Sequence, residues 1–246
     1  MKEKLRCELN KLLLTNTNLL TKGKLLKIIE KITDGNLYKY RRGTKEDLEN
    51  LTNDKFALSI PRKFNDPFEF ISISMELKGL YEDKDINENI RKLTKESKDV
   101  FKVGCFADNY NEILMWSHYA DSHKGFCIRY DINELFDKIG VLIPVEYNDK
   151  IIEESLSDIS CRAMFRKSTK WNYEGEWRIV ESIKSNEPYV LIDVPKPKAI
   201  FLGCNIDENE DPNIKVKLIE IAKKKNIEVY QSRISLYNYK LEFELL

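Results

Sequence analysis

The chain is predicted to fold as an α+β domain in which helices flank a single mixed, mainly antiparallel β-sheet. Two observations indicate this class. Short apolar stretches of strand-like pattern recur from residue 37 to the C-terminus, whereas long amphipathic helical patterns are few. The 246 residues, 42% of them hydrophobic, suffice for one large domain with its own core. We predict an N-terminal helical appendage at residues 1–34 and the α+β domain at residues 35–246.

The first 33 residues are predicted to form two amphipathic helices. Leu5 and Leu9 recur at helical spacing, as do Ile28 and Ile32. The polar residues 15–18 are expected to interrupt the helical run, because short polar side chains compete for backbone hydrogen bonds. Such a helical pair either packs on the main domain or offers a surface to a protein partner or to a second copy of the chain.

The remaining elements alternate along the chain. Strands are predicted at residues 37–41, 55–60, 69–75, 101–106, 126–130, 141–147, 177–180, 199–202, 227–230 and 240–245. Helices are predicted at 45–53 behind the N-cap Thr44, at 111–124 before Gly125, and at 213–225. The almost wholly polar residues 82–99 suit a solvated helix or an insertion.

Composition excludes several classes of function. Lys plus Arg and Asp plus Glu each number 41, so no global basic field attracts nucleic acid, although local binding stays open. The five cysteines form no C-x-x-C pair, which argues against structural zinc and disulfides and favours reduced thiols in the cytoplasm. No signal peptide, membrane-spanning stretch, phosphate-binding Gly-rich loop or G-x-S-x-G motif is visible.

The first block with chemical potential is PRKFNDPFE at residues 61–69. Pro67 fixes its own φ and pushes Asp66 toward extended backbone, so the turn is rigid. Such a turn can present Asn65, Asp66 and Glu69 at a site. In the alternative interpretation, Asn65 and Asp66 only satisfy backbone groups of their own loop.

The second block, MWSHYADSHKGF at residues 115–126, holds both histidines of the chain. Histidine is the side chain best suited to proton transfer near neutral pH. Positions five apart lie about 140° apart around a helix, so His118 and His123 are not expected to share a metal ion. We expect His118 to point inward, as a site residue or a core histidine. His123 is expected to contact the C-terminal end of the helix dipole.

The third block is KSTKWNYEGEWR at residues 167–178. If the chain is extended from Glu174 onward, Glu174, Glu176 and Arg178 face one side of a strand. Two carboxylates on one face repel each other, so a nearby Arg, Lys or positive ligand is expected. An edge strand with a charged outer face is the alternative. Together the three blocks predict one pocket, with the turn, the histidine segment and the carboxylate strand as its walls.

These blocks, with LYKYR at residues 37–41, resemble an uncharacterised bacterial family, a domain of unknown function. The resemblance covers residues 36 to 205, approximately, and leaves the N-terminal helices outside. It implies family membership but no activity.

The order of the blocks is also similar to that in mono-ADP-ribosyltransferases. In that family a basic residue on the first strand binds NAD, and a Glu on a late strand stabilises the ribosyl cation. The resemblance implies Arg41 and Glu176 in these roles, with Glu174 as the companion carboxylate. The chain has no Ser-Thr-Ser strand, and the His118 segment has no counterpart in that family.

The leading hypothesis is therefore an NAD-dependent ADP-ribosyltransferase or NAD-hydrolase-like effector, acting in bacterial stress or phage defence. NAD, a small nucleotide-like ligand, would be the substrate. The catalytic residues would be Glu176, Glu174 and His118, with no metal ligand assigned. The substrate-binding residues would be Arg41, Tyr40, Tyr119, Asn65 and Asp66.

Two alternatives stay open. A metal-dependent nuclease or phosphodiesterase would use Asp66, Glu69, His118 and Glu176, with Lys170 and Arg178 on a phosphate. A ligand- or protein-binding module would use the same aromatic and charged residues as a recognition pocket. The catalytic hypotheses require Arg41, His118 and Glu176 to converge in one cleft.

Overall fold

The computed structural model describes residues 2–15, 22–68, 101–140, 142–149, 164–183 and 187–246. Within these ranges the chain forms a mixed, mainly antiparallel sheet with flanking helices, which confirms the predicted α+β class. Several predictions lie outside the described residues. These are the interruption at residues 16–18, the strand at 69–75 with Glu69, and the polar stretch at 82–99.

The elements are numbered in chain order. The helices are α1 (Lys2–Thr15), α2 (Lys22–Ile32), α3 (Lys45–Thr52), α4 (Ile113–Tyr119), α5 (Ile132–Ile139) and α6 (Ile214–Lys225). The first strands are β1 (Asn36–Arg41), β2 (Lys55–Ser59), β3 (Phe101–Ala107), β4 (Phe126–Asp131), β5 (Ile143–Pro144) and β6 (Glu146–Tyr147). The later strands are β7 (Arg166–Lys167), β8 (Glu176–Ser182), β9 (Tyr189–Asp193), β10 (Ala199–Leu202), β11 (Glu228–Ile234) and β12 (Leu241–Leu245). Short 3₁₀-helices occupy Pro61–Lys63, Thr169–Glu174 and Ile206–Glu208.

The large sheet branches at β3, which pairs with three strands, β1, β2 and β8. Its order is β12-β11-β10-β4-β1-β3-β2-β9, with β8 paired to β3 and β5 paired to β8; β10 and β11 are parallel. β3 pairs with β8 along its whole length, but it meets β1 only at Tyr38↔Ala107 and β2 only at Ser59↔Val103. Because β1 and β3 diverge from their single meeting point, the sheet opens into a cleft there.

Two hydrophobic clusters cover the two faces of the sheet. Leu37 of β1 belongs to the larger cluster, which also takes residues from α2, α3, α5 and α6. Tyr38 and Tyr40, its neighbours on the same strand, belong to the smaller cluster, with Met115 and Trp116 of α4. This alternation follows from the two-residue repeat of a strand. Among the described α-helices, only α4 contributes buried residues to the smaller cluster, and it also lines the cleft.

The N-terminal helices pack on the domain, in agreement with the first of the two predicted alternatives. Leu9 and Ile29 belong to the larger hydrophobic cluster. Arg6 of α1 is buried and reaches behind β8, where it pairs with Asp108 at 2.6 Å and donates to the carbonyl of Glu176. The helix α1 therefore braces the strand that carries the predicted carboxylates, while the domain boundary at residue 34 stays a prediction.

The predicted helix at residues 111–124 is too long. α4 ends at Tyr119, and Asp121, Ser122 and His123 then adopt left-handed φ values of 48°, 53° and 68°. Such values are costly for residues other than glycine, so tertiary contacts must hold the turn. The amide of Asn205, far away in the sequence, donates to the carbonyl of His123 at 3.1 Å.

Other differences have local causes. The predicted strand at 141–147 is divided into β5 and β6, because β5 pairs with β8 whereas β6 pairs with β7. The sequence analysis missed α5, although Asp131 caps it by accepting from the amides of Asn133 and Glu134. It also missed β9, an edge strand that pairs only with β2 in the described part of the sheet.

The bracing role of α1 predicts unequal effects at the two cations that contact Asp108. Arg6→Met leaves a buried carboxylate poorly compensated and should lower the free energy of unfolding by about 3 kcal/mol or more. Lys2→Met is the matched control, because Lys2 meets the same carboxylate at 2.9 Å with its side chain half-exposed. Its loss should cost at most about 1 kcal/mol. Urea unfolding compares the variants, and equal effects would contradict the bracing role.

Candidate functional site

The cleft between β1 and β3 holds a cavity of about 340 Å³. All three predicted blocks line it: the turn through Asn65, α4 through His118 and Tyr119, and the carboxylate segment through Glu174 and Glu176. The predicted arrangement of three walls around one pocket is thus confirmed. The cavity is at the small end of the usual range for ligand sites, about 300–1,000 Å³.

Glu174 joins the three walls through hydrogen bonds. Its side chain is 3% exposed. The Tyr119 hydroxyl donates to Oε1 at 2.5 Å and itself accepts from Nδ2 of Asn65 at 3.1 Å. Lys167 Nζ donates to Oε2 at 2.6 Å. The carboxylate is therefore held in one orientation by side chains from the turn, from α4 and from β7.

Glu176 occupies a different electrostatic environment. The guanidinium of Arg178 donates to its two oxygens at 2.8 and 3.0 Å, a bidentate pair in which Arg178 is 0% exposed. Lys167 Nζ lies 3.6 Å from Oε2 of Glu176 and so lies between the two carboxylates. The expected cation beside the carboxylate pair is present twice, as Lys167 and Arg178.

A sharp turn, and not a continuous strand, brings the two carboxylates together. Glu174 ends a 3₁₀-helix, Gly175 has a left-handed φ of 50°, and Glu176 begins β8. The expectation that the chain is extended from Glu174 was therefore wrong. A Cβ atom on Gly175 would lie 2.1 Å from Oδ1 of Asp108, so only glycine fits this close approach.

The two carboxylates titrate in opposite directions from the ordinary value. Burial, and next the charge of Glu176, raises the pKa of Glu174 from 4.5 to about 7 despite the opposing effect of Lys167. Burial alone would also raise the pKa of Glu176, but Arg178 and Lys167 outweigh it and hold that pKa well below the usual range. One carboxylate is thus ionised, and its neighbour can take or give a proton near neutral pH.

Lys39 of β1 lies where the sheet branches. Its Nζ donates at 2.7 Å to the carbonyl of Cys105 on β3. Burial, and next the charge of Arg41, lowers the pKa of Lys39 from 10.5 to about 8. Lys39 lines the same cavity as the two carboxylates.

Arg41 is not brought into the cavity. Arg41 lies over the ring of Phe56 at 5.3 Å with its Nε 3.7 Å from Asp47. Its neighbour Arg42 lines the cavity instead. The catalytic hypotheses required Arg41, His118 and Glu176 to lie in one cleft. His118 and Glu176 line the cavity, and Arg41 does not.

Asp66 and Tyr40 have structural partners. Asp66 is buried and accepts from the amide of Phe68 at 2.9 Å, as the loop-backbone interpretation predicted. Tyr40 lines the cavity, while its hydroxyl donates to the carbonyl of Asn109 and its ring packs edge-on against Trp116.

The two histidines lie in different surroundings. His118 was expected to point inward, but it is exposed at the cavity rim with Nδ1 3.1 Å from the Tyr173 hydroxyl. His123 lies beyond the end of α4 and stacks on Trp116, with Nε2 3.2 Å from the Ser117 hydroxyl. Burial lowers its pKa, so the expected cationic contact with a helix terminus was wrong.

Two cations of the site, Lys167 and Lys39, were given no role from the sequence. Lys167 stood in the third block beside its partners Glu174 and Glu176. Lys39 stood in LYKYR, and its partner, the carbonyl of Cys105, comes from a distant segment. Of the phosphate-binding residues in the nuclease hypothesis, Arg178 is buried against Glu176 and Lys170 does not line the cavity. Across the described ranges, no three His, Cys, Asp or Glu side chains are placed to hold a metal ion.

The four cysteines in the described ranges, Cys7, Cys105, Cys127 and Cys204, are free thiols, and Cys161 lies outside them. None of the described helices combines the length and the apolar character that a bilayer crossing requires.

A family model described as a protein of unknown function (DUF2971) matches residues 115–179. The match begins at the histidine block and ends just after the carboxylate block, which confirms the resemblance to an uncharacterised family over this segment. No curated protein and no solved structure matches the chain. The matched segment supplies two of the three cavity walls, and the family description carries no activity.

The raised pKa of Glu174 predicts a pH-dependent stability. The folded state keeps this proton at a higher pH than the unfolded chain, so stability should fall as pH rises from about 5 to about 8. Glu174→Gln removes this dependence. Urea unfolding at several pH values should therefore show the variant gaining stability relative to wild type across that window.

Glu181→Gln is the matched control, because Glu181 is exposed at the far end of the same strand. Its difference from wild type should be flat with pH. A flat difference for Glu174→Gln as well would contradict the raised pKa.

Proposed function

We propose that the protein cleaves the N-glycosidic bond of a nucleotide such as NAD and transfers the ADP-ribosyl group to water or another acceptor. The observation that carries this proposal is the buried pair of Glu174 and Glu176. One member is poised to titrate near pH 7, and the other is kept ionised by Arg178. Such a pair suits a reaction in which positive charge develops and a proton must then be removed.

The first step needs electrostatic stabilisation. As the bond between ribose C1′ and the pyridine nitrogen breaks, its electron pair leaves with neutral nicotinamide. Positive charge then spreads over C1′ and the ring oxygen. Carboxylates fixed beside the cavity stabilise this charge without reorganising. Glu176 is largely neutralised by its bidentate partner, so ionised Glu174 is the carboxylate that serves this step.

The second step needs a base. The hydroxyl of water or of another acceptor attacks C1′, and its proton passes to Glu174, which later releases it to solvent. A base whose pKa lies near the working pH is the most effective for this transfer. Tyr119 and Lys167 act as positioning residues, because they fix the two oxygens of Glu174.

The aromatic side chains of the cavity suit a flat base. Tyr38, Tyr40 and Tyr119 line the cavity beside the carboxylates. Aromatic rings offer apolar faces on which a nicotinamide ring can stack. These contacts support the choice of a nucleotide over a small sugar.

Incubation of the purified protein with NAD should release nicotinamide, which chromatography detects directly. Glu174→Gln should lower kcat by roughly 10²–10³-fold, because it removes both the charge and the base. Glu181→Gln should leave kcat unchanged. Full turnover by Glu174→Gln, or no nicotinamide release by the wild type, would contradict the proposal.

The same mechanism predicts the pH dependence of the wild-type rate. Glu174 must be ionised in the free enzyme, so kcat/KM should rise with pH and level off above about pH 7. Glu176→Gln removes a like charge beside Glu174 and should move this midpoint to lower pH. Initial rates of nicotinamide release between about pH 5 and about pH 9 test both statements, and an unmoved midpoint would contradict them.

A further inference from the structure

The cavity is lined by charges of both signs. Its lining includes Glu174 and Glu176, with Lys167 between them, and three further cations, Lys39, Arg42 and Lys63. Arg42 and Lys63 are exposed, and the described part of the chain contains no carboxylate paired with either of them. Lys39 donates only to a neutral carbonyl, that of Cys105. Two exposed cations at one cavity, neither of them paired with a described carboxylate, indicate an anionic ligand, and the buried Lys39 adds a third positive charge to the same cavity.

Hydrogen bonds hold the backbone at both exposed cations, Arg42 and Lys63. The carbonyl of Arg42 accepts from Nδ2 of Asn209 at 3.0 Å. Lys63 ends the 3₁₀-helix Pro61–Lys63, where its amide donates to the carbonyl of Ile60 at 3.1 Å. A preformed backbone leaves only side-chain rotamers to be ordered on binding, which lowers the entropic cost of holding a ligand.

We propose that Arg42, Lys63 and Lys39 form a phosphate-binding subsite that holds the phosphate or pyrophosphate group of a nucleotide whose glycosidic bond faces Glu174. The proposal rests on the proposed function, for which it names the recognition element. Arg presents a fork of donors that matches phosphate oxygens, and Lys adds point charge. The subsite replaces Arg41, which the resemblance had implied for this role.

The size of the cavity further limits the class of ligand that fits. A volume of about 340 Å³ suits one nucleotide unit better than a whole dinucleotide. The enclosed part would be the nucleoside beside the carboxylates, with its phosphate at the cationic subsite. The second half of a dinucleotide would extend past Arg42 and Lys63 into solvent.

Inorganic pyrophosphate tests the subsite without any glycosidic chemistry. Calorimetric titration of the full chain should show binding, and Arg42→Gln and Lys63→Gln should each weaken it about tenfold, as expected for the loss of one charge-assisted contact. Lys45→Gln is the matched control, because Lys45 is an exposed cation near Arg42 that does not line the cavity. Its affinity should stay within about twofold of wild type.

Absence of pyrophosphate binding by the wild type, or an equal loss in Lys45→Gln, would overturn the subsite. NAD kinetics separate this failure from failure of the proposed function. Arg42→Gln and Lys63→Gln should raise KM and leave kcat unchanged. If the two variants keep the wild-type KM and turn over NAD normally, the subsite is overturned and the proposed reaction is not. If the two variants lose pyrophosphate binding but the wild type does not turn over NAD, the subsite is supported and the proposed reaction is overturned.

Discussion

The site depends on one ammonium group shared by two buried carboxylates. Lys167 lies 2.6 Å from Glu174 and 3.6 Å from Glu176, and all three side chains are almost wholly removed from solvent. Buried charges are tolerated only with close partners, and loss of one partner leaves the rest uncompensated. Arg178 satisfies Glu176 with two hydrogen bonds, so the shortage of positive charge falls on Glu174. Burial, and next the charge of Glu176, therefore raises the pKa of Glu174, and the proposed chemistry uses this shift.

The fold maintains this arrangement from both sides of the sheet. Gly175 allows the turn that directs both carboxylates toward Lys167, and Asp108 packs against that turn. Arg6 of the N-terminal helix holds Asp108 and the carbonyl of Glu176 from behind. In front, β1 and β3 separate after a single paired position and leave room for a ligand. The helix at the start of the chain therefore stabilises a site built by its second half.

Much of the site could be predicted from local sequence. The rigid turn at Asn65, the histidine segment and the paired Glu residues were expected around one pocket, and the need for a cation followed from the repulsion between carboxylates. Most strands were found by their alternation, with bounds shifted by a few residues.

The rest depends on contacts between distant segments. The left-handed turn after Tyr119 is held by the segment around Asn205, so the length of α4 could not be read from the helix itself. The sequence does not distinguish the adjacent Arg41 and Arg42, but Arg41 contacts Phe56 and Asp47 while Arg42 lines the cavity. His118 stays at the rim because α4 buries its Met115 and Trp116 side instead.

The most direct test is an NMR titration of the Glu174 carboxyl carbon in protein labelled at glutamate, with Glu174→Gln used to assign the signal. A midpoint near pH 7 is predicted in the wild type, because burial and Glu176 disfavour the second negative charge. A midpoint at the ordinary value of 4.5 would contradict the account, since Glu174 would then be an ordinary ionised partner of Lys167.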